Sequence, residues 1–253
     1  MGNPLTPLPF LCSGFPYVRT GERLMSTANE KSGGQPSRRE RIANDWKTSD
    51  YYDRVEETVA QFWSESGHFR PMFNHLDLTS VLELACGRGR HVPQYINRAG
   101  SIVLVDVNEE NISFCRSRFS DAKVKFIKNN GFDFSAVDDN SLTSIFSYDA
   151  MVHFELFDIF EYLKEARRTL KPGGYALFHH SNYTGGPEND YNKNPHWRNF
   201  MSASIMRYLA SRAELEVIQQ KVIDWGSRRK HFQHDCISLI RKPIGQSEEP
   251  SAA

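Results

Sequence analysis

Little in this chain is available for cross-linking, metal binding or membrane spanning. Its four cysteines (Cys12, Cys86, Cys115, Cys236) are scattered over 253 residues with no C-x-x-C pair. Such spacing supports neither a zinc site nor a disulfide framework, so no metal is expected and free thiols in a reducing cytoplasm are. No apolar run approaches the roughly 18 residues that a bilayer span needs, so no membrane partner is expected. Excess charge is also lacking: Lys plus Arg and Asp plus Glu both total 31, for a formal net charge of zero. That balance argues against a large nucleic-acid-binding face. Apolar residues make up 39% of the chain, a low share that fits a globular core with polar ends.

The ends read as such. Residues 1–36 are rich in Gly, Pro and Ser with no sustained period, and 244–253 are rich in Ser, Glu and Pro; both are expected to be disordered. Met1-Gly2-Asn3-Pro4-Leu5-Thr6 formally fits an acylation pattern, but one lipid chain gives only marginal anchoring. A charged helix is expected from Ser37. Beyond it Trp46, Tyr51, Tyr52, Val55, Val59, Phe62 and Trp63 recur at helical spacing. Packing is the plain reading of this aromatic stretch, and its position lets residues 37–78 close over a ligand at the first turn of the following domain.

From Thr79 to about Pro243, strands and helices alternate. Strands are expected at Ser80–Ala85, Ser101–Asp106, Lys123–Ile127, Leu142–Ser147, Tyr175–His180, Leu215–Trp225 and Asp235–Ile240. Helices are expected at Val92–Ala99, Glu109–Phe119, Leu156–Leu170 and Asn199–Ala213. Alternation of this kind, with strands apolar on both faces, means a doubly wound α/β domain. Its ligands sit beyond the carboxyl ends of the strands. That rule selects Glu83, Gly87, Asp106, Asn130, Asp133, Ser147 to His153, and His179 to Asn182.

After strand one the chain turns through Cys86-Gly87-Arg88-Gly89-Arg90-His91. Gly87 and Gly89 match the first two glycines of a dinucleotide fingerprint, but its third position is Val92, which speaks against a dehydrogenase. Asp106 lies about 20 residues beyond the turn, where a carboxylate accepts from ribose hydroxyls; an acid capping the next helix is the alternative. Asn130, Gly131, Phe132 and Asp133 follow strand three and suit either an adenine edge and face or a simple turn.

Glu83-Leu84-Ala85-Cys86-Gly87-Arg88-Gly89 resembles the first motif, E/D-x-G-x-G-x-G, of class I S-adenosylmethionine-dependent methyltransferases, with Ala85 at the first glycine. Asp106 matches the acid of the second motif. Asn130-Gly131-Phe132-Asp133 resembles the adenine-side motif, with Phe132 intervening between glycine and acid, and Leu170-Lys171-Pro172-Gly173-Gly174 is similar to the family's turn before strand five. The resemblance implies a mostly parallel seven-stranded sheet with helices on both faces, an antiparallel last strand and an N-terminal helical lid. It implies S-adenosyl-L-methionine as cofactor, leaving as S-adenosyl-L-homocysteine. Glu83 would orient the methionine ammonium, Gly87 and Gly89 would allow close approach, Ala85, Val107 and Ser147 would complete the cofactor wall, and Trp46 and Tyr51 would cover it.

An oxygen acceptor needs its proton removed, and histidine is the usual agent. His153 follows strand four, while His179 and His180 end strand five; neighbours on a strand face opposite ways, so only one of that pair is expected to face the cofactor. Asn182, Tyr183 and Trp197 lie in a long polar loop, and with His153 and Trp225 they are the candidate acceptor contacts. No Asn-Pro-Pro-Tyr follows strand four, where the chain reads Ser147-Tyr148-Asp149-Ala150. The expected activity is O-methylation of a small polar molecule, a sugar or secondary metabolite. The alternatives are N- or S-methylation of a small molecule or protein side chain, or a non-catalytic S-adenosylmethionine-binding module.

Overall fold

The computed structural model describes residues 38–47, 51–188, 198–225 and 232–244. The expected leader and tail, and Trp197, lie outside the described residues. Four short helices come first: α1 (Arg38–Lys47), α2 (Tyr51–Glu56), α3 (Val59–Phe62) and α4 (Phe69–Phe73). The aromatic stretch is thus broken into single turns rather than one long helix. Then follow β1 (Ser80–Leu84), α5 (Val92–Tyr95), β2 (Ser101–Asp106), α6 (Glu109–Arg118), β3 (Val124–Lys128) and β4 (Leu142–Ser147). The remainder is α7 (Leu156–Thr169), β5 (Leu170–Ser181), α8 (Ala203–Arg212), β6 (Glu216–Ile223) and β7 (Asp235–Arg241).

The seven strands form one sheet in the order β3-β2-β1-β4-β5-β7-β6. The strands β1 to β5 pair in parallel, and β7 runs antiparallel between β5 and β6. Strand order reverses between β1 and β4, which opens a crevice at their carboxyl ends. Alternation along β1 divides its side chains between two cores: Leu82 and Leu84 pack with Val103 and Val105 on one face, and Val81 packs with Ile102, Leu104 and Tyr95 on the other.

Two elements depart from the sequence pattern. The Lys171-Pro172-Gly173-Gly174 turn falls inside β5, where the pairing with β4 shifts register and Gly173 takes φ +82°. The helix after the glycine turn has one α turn, Val92–Tyr95, before tightening into a 3₁₀ turn at Ile96–Arg98. So short a helix sums few peptide dipoles, so it is a poor anion site, contrary to what a full helix at Val92–Ala99 promises.

Candidate functional site

A cavity of about 1110 Å³, its solvent-filled mouth included, lies at the carboxyl ends of β1, β2 and β4, beneath α1 and α2. Ala85, Cys86 and Gly87 of the turn, Asp106 and Val107 after β2, Asn129 and Gly131 after β3, and Asp149 and His153 after β4 all line it. Trp46 and Tyr51 line it from the N-terminal helices, with ring centroids 5.3 Å apart edge to face.

Asp106 is buried and held by three donors: the Gly87 N–H at 2.9 Å, the Asn108 N–H at 2.9 Å and Asn111 Nδ2 at 3.1 Å. Burial pushes its pKa above the ordinary value despite those bonds. Three donors leave the carboxylate room for about one further hydrogen bond, since it offers roughly four lone-pair sites. Asn108 stands at the start of α6 but gives it no side-chain cap; its Nδ2 instead reaches the Ala43 carbonyl of α1 at 3.0 Å. Ala85, at the motif's first glycine, takes φ +55°, a conformation that favours glycine. Gly87 is also left-handed, at φ +54°, and a Cβ there would come within 2.8 Å of the Tyr52 ring. At Gly89 it would meet Phe119 at 2.6 Å, so that glycine serves protein packing and lies off the cavity.

Glu83 is also off the cavity. It shares the β1 face of Val81, lies 2% exposed, and accepts from Tyr95 Oη at 2.7 Å. Burial raises its pKa to about 8, with the Tyr95 bond only partly offsetting it. Ser147 is buried, with an Oγ that meets no hydrogen-bond partner among the described residues, and it does not line the cavity. On the adenine side, Asn130 and Asp133 close on each other, Nδ2 to Oδ2 at 2.7 Å, in an exposed turn, while Phe132 lies under the Arg39 guanidinium at 4.3 Å. The neighbours Asn129 and Gly131 face the cavity instead.

The three candidate histidines separate. His153 lines the cavity with its ring 5.3 Å from Trp46. His179 and His180 do not line it, and both are fully buried. They face opposite ways as alternation requires, but β5 is an interior strand with both faces covered, so neither reaches the cavity. His180 Nδ1 donates to the Ser181 carbonyl and its Nε2 accepts from Ser238 Oγ, both at 2.8 Å; burial lowers its pKa to about 4. His179 Nδ1 accepts the Asp149 N–H at 3.0 Å, which places its own hydrogen on Nε2, directed to Asp235 at 3.1 Å. Neither nitrogen is left for a substrate.

Of the acceptor candidates His153 lines the cavity, while Asn182, Tyr183 and Trp225 do not. Asn182 joins the start of α8 to the loop before β7, through Ala203 N at 2.9 Å and the Gln233 carbonyl at 2.8 Å. Tyr183 bridges to Phe200, and Trp225 stacks on Phe62 at 5.6 Å. Residues that the sequence reading gave no individual role also line the cavity: Arg90, Tyr52, Asn108, Asn129 and Asp149, the last within the selected Ser147 to His153. Arg90 Nη2 donates to Asp149 Oδ2 at 2.8 Å, and Tyr51 Oη donates to the same oxygen. The sequence signal for Tyr52 was the aromatic stretch, and for the others their place beside a strand end or turn already selected.

Residues 81–174 match a methyltransferase domain family. That match and the fold together support a class I S-adenosylmethionine-dependent methyltransferase. Its match to the fatty-acid O-methyltransferase of Mycolicibacterium smegmatis is 28% identical over 142 residues, 55% of this chain and 48% of that one. A probable phthiotriol/phenolphthiotriol dimycocerosates methyltransferase 2 of Mycobacterium ulcerans is 31% identical over 101 residues, 39% of this chain and 38% of that one. The chain therefore spans about half the length, or less, of these curated relatives. An S-adenosylmethionine-dependent methyltransferase structure from Mesorhizobium loti superposes with a TM-score of 0.58 at 11% identity, over 68% of this chain and 96% of that one, a likeness of fold. Among the described residues no cluster of side chains suits a metal ion, and no helix is long and apolar enough to cross a membrane.

Proposed function

We propose that the chain transfers the methyl group of S-adenosylmethionine to an oxygen of a small polar acceptor, a hydroxylated secondary metabolite or sugar. The observation that carries this reading is the cavity at the β1–β4 switch point, with Asp106 bonded to the Gly87 N–H at its floor. The residues fit an adenosyl ligand: Asp106 has acceptor capacity for a ribose hydroxyl, Val107 and Gly131 line the wall beside it, and Asn129 offers a polar edge. Trp46 and Tyr51 on the opposite side support a covering role for the N-terminal helices. When bound, the cofactor supplies an activated methyl carbon, and the protein's part is alignment and proton removal.

His153, alone of the three candidate histidines at the cavity, is assigned the base that takes the acceptor proton. The relatives' names motivate a second reading, in which the acceptor oxygen belongs to the carboxylate of an apolar acid. The aromatic wall of Trp46, Tyr51, Tyr148 and Phe154 favours it over a bare sugar.

Calorimetry with S-adenosylhomocysteine and methyl-transfer assays over a panel of alcohols, phenols, sugars and fatty acids test both readings. The wild type is expected to bind the ligand, and Asp106→Ala to weaken it. His153→Ala should lower kcat on hydroxyl acceptors by about 10²- to 10⁴-fold at unchanged ligand affinity. A carboxylate is already ionised and needs no base, so transfer to a fatty acid would survive that substitution. Absence of binding by the wild type would discard the enzymatic reading altogether.

A further inference from the structure

The methionine end of the cofactor carries an ammonium, and a cation leaving water for a cavity needs an ionised partner. Glu83, the acid expected to meet it, faces Tyr95 in a dry core and is screened from the cavity by the strand's own alternation. Four other carboxylates line the cavity: Glu56, Asp106, Asp149 and Asp158. Arg118 takes both oxygens of Glu56, at 2.5 and 3.2 Å. Arg39 Nε donates to Asp158 Oδ1 at 2.9 Å, and Asp106 carries its three donors.

Asp149 differs. Arg90 and Tyr51 both donate to its Oδ2, while among the described residues no hydrogen bond reaches its Oδ1. Its side chain is 7% exposed, at the carboxyl end of β4 beside the glycine turn, so a second acceptor oxygen stands at the wall of a low-dielectric cavity. We infer that Asp149 Oδ1 is the docking point for the α-ammonium of the cofactor's methionine moiety, with Arg90 fixing the carboxylate and turning further N–H groups toward the methionine carboxylate. This rests on the methyltransferase reading. An amino-acid zwitterion laid against the Arg90–Asp149 pair alternates four charges, each next to its opposite.

The position is held from behind. Asp149 takes φ +61°, and its N–H is committed to His179 Nδ1. His179 is oriented by Asp235, which Arg198 clamps through Nε and Nη2 at 2.7 Å each. His179, a base candidate by sequence, is thereby a positioning residue for the turn that carries Asp149.

The test compares calorimetric affinities of the wild type and Asp149→Asn for S-adenosylhomocysteine and for its desamino analogue. Asparagine tolerates the left-handed conformation and keeps the side chain's shape, and circular dichroism checks the fold. The wild type should prefer the amino ligand by about tenfold or more. The variant should lose that preference and bind both ligands as the wild type binds the desamino analogue. Equal wild-type affinities for the two ligands overturn the assignment, and this arm needs no variant. A variant that weakens both ligands equally overturns it too, since the loss is then general damage to the site. Failure of the wild type to bind either ligand removes the methyltransferase reading itself.

Discussion

Two buried arginine–aspartate pairs occupy neighbouring parts of this molecule and are built to different ends. Arg198 grips Asp235 with two parallel bonds, His179 adds a third, and the aspartate is fully buried. That carboxylate is sealed in the interior and presents no oxygen to the cavity. Arg90 and Asp149, 10% and 7% exposed, share one oxygen with Tyr51 and leave the other toward the cavity. Burial and charge alone do not distinguish the pairs. Unfilled acceptor capacity does, and it occurs where the sheet's strand order reverses.

The strongest way to break this comparison is to remove each aspartate in turn. Asp235→Ala strands a buried guanidinium and should cost about 3–5 kcal/mol in urea unfolding. Asp149→Asn should cost clearly less, because the cavity admits water to Arg90 and the amide keeps the Tyr51 bond. Equal losses would mean that both pairs are structural.

Opposite pH dependences separate two sealed acids, Asp235 and Glu83, neither of which reaches the cavity. Burial would raise the pKa of Asp235, but Arg198 and His179 hold it well below the ordinary carboxylate range. Its contribution is therefore present above the unfolded-state value near 3.9 and lost as pH falls through the folded one. Glu83 runs the other way. With a folded pKa of about 8 it keeps its proton while the unfolded chain gives one up, so its contribution is full below about 4.5 and declines as pH rises to 8. Glu83→Gln should abolish that decline. Unfolding midpoints of variant and wild type should diverge between pH 5 and about 8 and then run parallel. A constant difference across that range would show that Glu83 is ionised in the fold and would return it to the list of ammonium partners.

The smallest effect is expected at the turn. Ala85→Gly removes a left-handed strain but adds freedom to the unfolded chain, for a net gain of up to about 1 kcal/mol. A loss of stability would mean that the alanine methyl packs against something worth more than the strain.

Positions just after strands were legible because the rule that selects them depends only on where strands end. Asp106, Gly87 and His153 were found in this way, and each lines the cavity. Orientation was not legible. Asn130 and Asp133 satisfy each other in a local turn, and their neighbours Asn129 and Gly131 take the cavity wall. His180 bonds to Ser238 across 58 positions of sequence, a partner that periodicity does not reveal.

The sequence by itself determined the alternation of strands and helices, the glycine turn and the family resemblance, because these rest on short-range pattern: hydrophobic period, turn chemistry and residue order. Only the tertiary structure decided which polar groups remain available. Availability is what is left after every donor and acceptor has met its partner, and those partners come from distant segments: Tyr51 and Arg90 to Asp149, Tyr95 to Glu83, Arg198 to Asp235. A carboxylate reads the same in sequence whether the fold has closed it or left one oxygen open.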